Sequence, residues 1–115
     1  MVVEERIYTL HHAKVNEYLQ RYEAEGRAIQ LRILGCNVGY YSVDVGAQNT
    51  VVHLWAYRDM AERERRRAAL AEDPGWRAYL PSIRPLMLAQ ENRLLRPAAF
   101  FADWVRAQLE GCHAG

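Results

Sequence analysis

The chain has little of what marks the more specialised protein classes. Its 15 Lys+Arg nearly cancel 14 Asp+Glu, leaving a formal charge of +1, so overall charge favours neither nucleic acid, an anionic membrane nor an acidic substrate. Any partner must be recognised locally. Only two cysteines occur, Cys36 and Cys112, far apart in the chain. A disulfide framework is therefore not expected, both read as ordinary thiols, and a reducing cytoplasm fits. The opening Met1-Val2-Val3-Glu4-Glu5-Arg6 lacks the basic and apolar regions of a signal peptide, and no apolar run approaches the roughly 20 residues that cross a bilayer. A soluble cytoplasmic protein without a membrane partner is the expectation. Cys-x-x-Cys, His-x-x-x-His and facial-triad spacings are missing, as are Walker, Rossmann and nucleophile-elbow glycine patterns. His11 and His12 are adjacent, so on a helix they diverge by about 100° and cannot chelate one ion, and His113 falls in a tail expected to fray. No metal site is expected, and the residues call for no cofactor.

What is present is a globular mixture. With 115 residues, 50% hydrophobic and 25% charged, the chain suffices for one domain with one core. Val2 to Leu10 is rich in strand formers, with alternate side chains dividing into Glu4, Arg6, Tyr8, Leu10 and Val3, Glu5, Ile7, Thr9. Val15, Tyr18, Leu19, Tyr22, Ile29 and Ile33 then keep one face of a helix apolar, Gly26 is its weak interior point, and Gly35 supplies the stop. Cys36 to Val45 and Thr50 to Tyr57 form a hairpin around Gly46-Ala47-Gln48-Asn49. Asp59 with Glu62 is a capping box that opens a second helix, and Asp73-Pro74 marks another start. Pro81 and Pro85 are expected to interrupt the helix containing Trp76, Tyr79 and Leu80. Met87 to Leu95 reads as the last strand and Pro97 closes it. From Ala98 onward, Phe100, Phe101, Trp104, Val105 and Leu109 lie at roughly helical spacing before a small, polar end.

The order βαββαβ predicts an α+β, ferredoxin-like domain over 1–97, a four-stranded antiparallel sheet with helices on one face, and a C-terminal extension over 98–115. Tyr8, Tyr41, Trp55 and Tyr57 would then leave an aromatic face in water, at a cost of about 25 cal/mol per Å². Closing two such sheets about a two-fold axis removes it, so a homodimeric barrel is expected.

The stretches Arg6-Ile7-Tyr8-Thr9-Leu10, Val51-Val52-His53-Leu54-Trp55-Ala56-Tyr57, Ala61-Glu62-Arg63, Asp73-Pro74-Gly75-Trp76 and Gln90-Glu91-Asn92-Arg93-Leu94-Leu95-Arg96-Pro97 together resemble the NIPSNAP family. The resemblance covers nearly everything up to Phe100. It implies the dimeric α+β barrel superfamily, whose relatives include small monooxygenases, haem-degrading enzymes, dehydratases and lactone isomerases, while its own activity is undefined. His12-Ala13 departs from the Pro-Gly turn that such relatives often carry before the first helix, and the Phe/Trp-containing tail runs past their usual end.

Alternation sets His53, Trp55 and Tyr57 on one face of the third strand and Val52, Leu54 and Ala56 on the other. The smaller set suits close packing under helices, which assigns the aromatic set to the barrel interior beside Arg6 and Tyr8. The last strand adds either Gln90 and Asn92 or Glu91 and Arg93, and the amides are favoured because a charged pair is costlier to bury. An aromatic cavity with converging polar groups suits a small-molecule ligand. His53 would act as general base, Arg6 would hold a carboxylate or enolate, and Tyr8 or Asn92 would stabilise developing charge. Equally, His53 reads as a satisfied core histidine and the aromatics as interface packing. Haem enters only through the superfamily resemblance, with His53 as the one candidate ligand. The run Arg63-Glu64-Arg65-Arg66-Arg67 reads as a solvated helix face and not a nucleic-acid patch. Two functions follow: a cofactor-free isomerase, cyclase or oxygenase acting on a small metabolite, or a non-catalytic dimeric module for a ligand or protein.

Overall fold

The computed structural model describes residues 1–114, with side chains through Cys112. The elements run β1 (Val2–Leu10), α1 (Val15–Arg21), a π-helical turn (Tyr22–Gly26), α2 (Arg27–Leu34), β2 (Cys36–Ser42), β3 (Thr50–Tyr57), α3 (Met60–Glu72), α4 (Pro74–Ile83), β4 (Met87–Leu95) and α5 (Ala102–Ala114). The strands form one antiparallel sheet in the order β2-β3-β1-β4. This is the ferredoxin-like α+β arrangement, in which each βαβ half contributes one central and one edge strand.

Local chemistry explains most boundaries. Asp59 caps α3 by accepting the Glu62 amide at 2.8 Å, and Glu62 reaches back to the Arg58 amide at 3.1 Å. Asp73 caps α4 through the Trp76 amide at 2.8 Å, with Pro74 in the first turn. Gly26 permits a close approach: a Cβ there would lie 2.6 Å from the Tyr79 ring of α4. Pro81 does not break α4, which continues to Ile83. The proline sits near the helix end, and the carbonyl it deprives of a partner belongs to exposed Arg77, where water can serve.

The sheet faces are the reverse of the sequence expectation. Val51, His53, Trp55 and Tyr57 of β3 are all 0–1% exposed and lie beneath the helices, with Trp55 and Tyr57 packed among Val2, Leu34 and Leu70. Tyr8 joins Tyr18, Tyr22, Tyr79 and Ile83 in an adjoining cluster. Long rings span the gap between sheet and helices better than short aliphatics do, so the aromatic set is the one the helices cover. Of the four aromatics expected on an open face, Tyr41 alone, paired with Val52, faces away and is exposed. The opposite face carries Val3, Cys36 and Ala56, against which Val105 and Leu109 of α5 pack. The extension thus covers part of the sheet and stays helical to Ala114; the His113 side chain and Gly115 lie outside the described residues.

The turn before α1 explains why a Pro-Gly pair would suit it. Ala13 holds φ +63°, a left-handed conformation that costs an L-residue about 1–2 kcal/mol, while glycine adopts it freely at some loss of chain entropy. Ala13→Gly is therefore expected to stabilise the protein by roughly 0.5–1 kcal/mol, read as a higher urea midpoint at unchanged slope. A lower midpoint would show that the turn is unstrained.

Candidate functional site

The strand register lines up the sequence-selected residues in rows across the helix-covered face. Arg6 pairs with His53 on one side and Asn92 on the other, Tyr8 with Val51 and Gln90, and Glu4 with Trp55 and Leu94. His53, Arg6 and Asn92 therefore share one row, but no hydrogen bond joins them to one another among the described residues. Arg6 and Asn92 turn to Glu4, and His53 turns to Trp55.

The polar centre is Glu4, which the sequence reading left out. Its Oε2 accepts hydrogen bonds from Arg63 Nη2 of α3 at 2.9 Å, Asn92 Nδ2 at 2.8 Å and Arg6 Nη1 at 3.2 Å. Burial alone would raise this carboxyl, but the bonds from Arg63 and Asn92 and the attraction of Arg6 and Arg63 outweigh it and hold it at about 2. Arg6 also donates from Nε to the Tyr8 hydroxyl at 3.0 Å. That hydroxyl, having accepted, keeps its own O–H to donate elsewhere.

His53 does not fit the role of general base. Its Nδ1 accepts from Trp55 Nε1 at 2.7 Å, so the proton resides on Nε2, which is buried with no partner among the described residues. The ring stacks on Tyr40 at 4.6 Å and meets Tyr8 edge-on at 4.8 Å. Burial, reinforced by the Arg6 and Arg67 charges, pushes the imidazole down to about 3. At neutral pH it is an uncharged donor. The same geometry fails the test for haem: the one lone pair is spent on Trp55, and the ring is 1% exposed.

In front of this layer lies a cavity of about 390 Å³, partly open to solvent, between the sheet and helices α2, α3 and α4. Arg6, Tyr8 and Gln90 line it; His53, Trp55, Tyr57 and Asn92 do not. Its apolar wall is built from Trp76, Leu80, Ile83 and Met87, and its cations are Arg6, Arg67, Arg77 and Arg84 with no carboxylate among the lining. Arg67 makes no hydrogen bond among the described residues, and burial together with the adjacent Arg6 charge lowers its pKa. The Arg63–Arg67 run is accordingly not a solvated face. Arg63 binds Glu4, Arg66 donates to the Ile33 carbonyl at 3.0 Å, and Arg67 enters the cavity, leaving Glu64 and Arg65 outside. The signal was legible in spacing: Arg63, Arg67 and buried Leu70 are i, i+4, i+7 on one helix stripe.

Among the described residues, no group of three His, Cys, Asp or Glu is placed to hold a metal, and no helix is long and apolar enough to cross a membrane.

With this geometry in place, comparison with known proteins is decisive for kinship. The sequence profile of the NIPSNAP family matches residues 3–102. The chain belongs to the NIPSNAP family. Human NipSnap homolog 3A is 41% identical over 109 residues, which are 91% of this chain and 41% of that protein, so the chain spans about two-fifths of that relative's length. Among solved structures, a NIPSNAP family protein from Agrobacterium tumefaciens superposes with TM-score 0.84 at 43% identity, covering 86% of this chain and 94% of the other. A NIPSNAP-like domain protein from Burkholderia xenovorans gives 0.84 at 45%, covering 86% of each. An antibiotic biosynthesis monooxygenase is 13% identical with TM-score 0.60, covering 85% and 99%, and shares the fold. The NIPSNAP match ends at the first residue of α5, so the cavity falls wholly within the family domain and most of that helix outside it.

The two displaced titrations predict acid sensitivity with a definite sign. His53 takes a proton near 6.5 when unfolded but only near 3 when folded, so its stabilisation is present above 6.5 and is lost as pH falls through that interval. Glu4, at about 2 folded against 4.5 unfolded, contributes stability above 4.5 that is lost from there down to about 2. Between neutral pH and roughly pH 5 the loss should come from His53, at about 2 kcal/mol. Urea midpoints for His53→Gln, which keeps an acceptor for Trp55, should be nearly flat over that interval and fall only below it. Equal slopes for the two proteins would mean the imidazole is not held neutral.

Proposed function

We propose that this NIPSNAP domain binds a small organic anion, a carboxylate or enolate on an apolar body, in the cavity between the sheet and helices α3 and α4. The observation that carries this reading is the uncompensated charge: Arg67 faces the cavity beside Arg6 with no carboxylate in the lining. The buried carboxylate of Glu4 is already shared among Arg6, Arg63 and Asn92. An anion on the Arg side would gain charge-assisted hydrogen bonds while its apolar part packs on Trp76, Leu80 and Met87. The ligand-binding role draws support from the neutral, locked His53, which leaves the row without an acid–base group poised near pH 7.

A test compares alkanoic and arylalkanoic acids with their primary amides by calorimetry. The acids should bind and the amides should not. Arg67→Gln should weaken the acids by roughly tenfold to a hundredfold, the worth of one charge-assisted contact, while exposed Arg65→Gln should leave them unchanged. Equal binding of acids and amides would defeat the assignment.

The catalytic reading, a cofactor-free isomerase, cyclase or oxygenase, is favoured by one feature. The Tyr8 hydroxyl, polarised by Arg6 and facing the cavity, is a donor suited to an oxyanion. Turnover that survives His53→Gln and is lost in Tyr8→Phe would support it over the binding module.

We further propose that a second copy of the chain covers the remainder of the sheet's outer face. Burial of the aromatic set beneath the helices removes the reason first given for a dimer. What supports it is the half-exposed strip of Ile7, Thr9 and Val52 beside exposed Leu95, Phe101 and Trp104. Sedimentation equilibrium at micromolar concentration should return the mass of two chains; a folded single chain there would sink the proposal.

A further inference from the structure

The two cysteines, 76 residues apart in the chain, meet. Cys36 opens β2 and is fully buried, Cys112 lies near the end of α5 and is exposed, and their Sγ atoms are 2.6 Å apart, Cys112 donating its S–H to Cys36. The contact does not depend on a loose terminus. Val105, Leu109 and Cys112 are i, i+4 and i+7 on α5, and the first two are 2–3% exposed in the same cluster as Cys36, Val3 and Ala56. The stripe that seats α5 on the sheet ends with its thiol on Cys36. On the solvent side the way is open, because a Cβ added at neighbouring Gly111 would meet nothing within 4 Å.

We propose that Cys36 and Cys112 form a redox-active dithiol that a low-molecular-weight disulfide of the glutathione class converts to an intramolecular disulfide, fastening α5 to β2. The exposed Cys112 thiolate attacks one sulfur of glutathione disulfide, forming a mixed disulfide and expelling the first glutathione thiolate. Cys36 then loses its proton and attacks Cys112 Sγ. The Cys36–Cys112 bond forms, the bond to glutathione breaks, and the second glutathione thiolate departs. Two electrons pass from the protein to glutathione disulfide, and the two thiol protons end on two glutathiones. Burial, with the neighbouring Cys112 acting in the same direction, pushes the Cys36 thiol up to about 12, which leaves the first attack to the exposed Cys112, and contact with Cys112 Sγ then brings Cys36 within reach of the resolving step. The consequence is mechanical: α5 is covalently held across the sheet when oxidised and by apolar packing alone when reduced.

The test uses the full chain with glutathione disulfide as the probe. Thiol titration should fall from two per chain to none, and intact mass should drop by two hydrogens with no glutathione retained. Amide exchange in α5 should slow, and the melting midpoint should rise by roughly 5–15 °C, reversibly with dithiothreitol. Cys36→Ser should stop at a stable glutathione adduct on Cys112. A wild-type chain that keeps one glutathione, that cross-links to another chain, or that closes its disulfide without protecting α5 would overturn the proposal.

Discussion

One buried carboxylate organises the helix-covered side of the sheet. Glu4 is fully buried on the central strand, and three donors from three different elements converge on one of its oxygens. A charge there is tolerable because Arg6 and Arg63 neutralise it and Asn92 adds a further donor, and removing Glu4 would leave buried Arg6 without its counter-charge. The same contact fixes α3 over β1, ties edge strand β4 to the centre, and turns Arg6 so that its Nε reaches Tyr8. The orientation of the cavity wall follows from that arrangement.

Behind the wall lies a dry layer and in front of it a wet one. Trp55, His53, Tyr40 and Tyr8 form a continuous sequence of hydrogen-bonded and stacked rings in which the imidazole is held neutral. This layer contributes rigidity, and its cost is acid sensitivity. The cavity collects the charge that the layer excludes: Arg67 makes no hydrogen bond to Glu4 among the described residues and lines the cavity instead. The division explains how residues chosen together from the sequence serve different ends, with Arg6, Tyr8 and Gln90 at the cavity and His53, Trp55, Tyr57 and Asn92 in its support.

The second side of the sheet obeys a different constraint. It is covered in part by α5, most of which lies beyond the family match, seated by Val105 and Leu109 and placing Cys112 on Cys36. Nothing in the spacing of the two cysteines announces their contact, because it depends on α5 crossing to the face opposite the other helices.

The sequence by itself determined the parts governed by neighbours along the chain. Strand-forming composition and alternation marked β1 and the β2–β3 hairpin, Asp59 and Asp73 marked the starts of α3 and α4, and the order of elements dictated the ferredoxin-like sheet, since side-chain periodicity and capping are local. The NIPSNAP stretches were legible for the same reason. Only the tertiary structure decided which face of the sheet the helices cover. Alternation separates His53, Trp55 and Tyr57 from Val52, Leu54 and Ala56, but it is symmetric between inside and outside, and ring size, read as a reason to keep the aromatics away from helices, is what fills the space beneath them. Arg63 reaches Glu4 across 59 positions and Cys112 reaches Cys36 across 76. Pairings at such separations arise from packing whole elements together, and no local pattern encodes them.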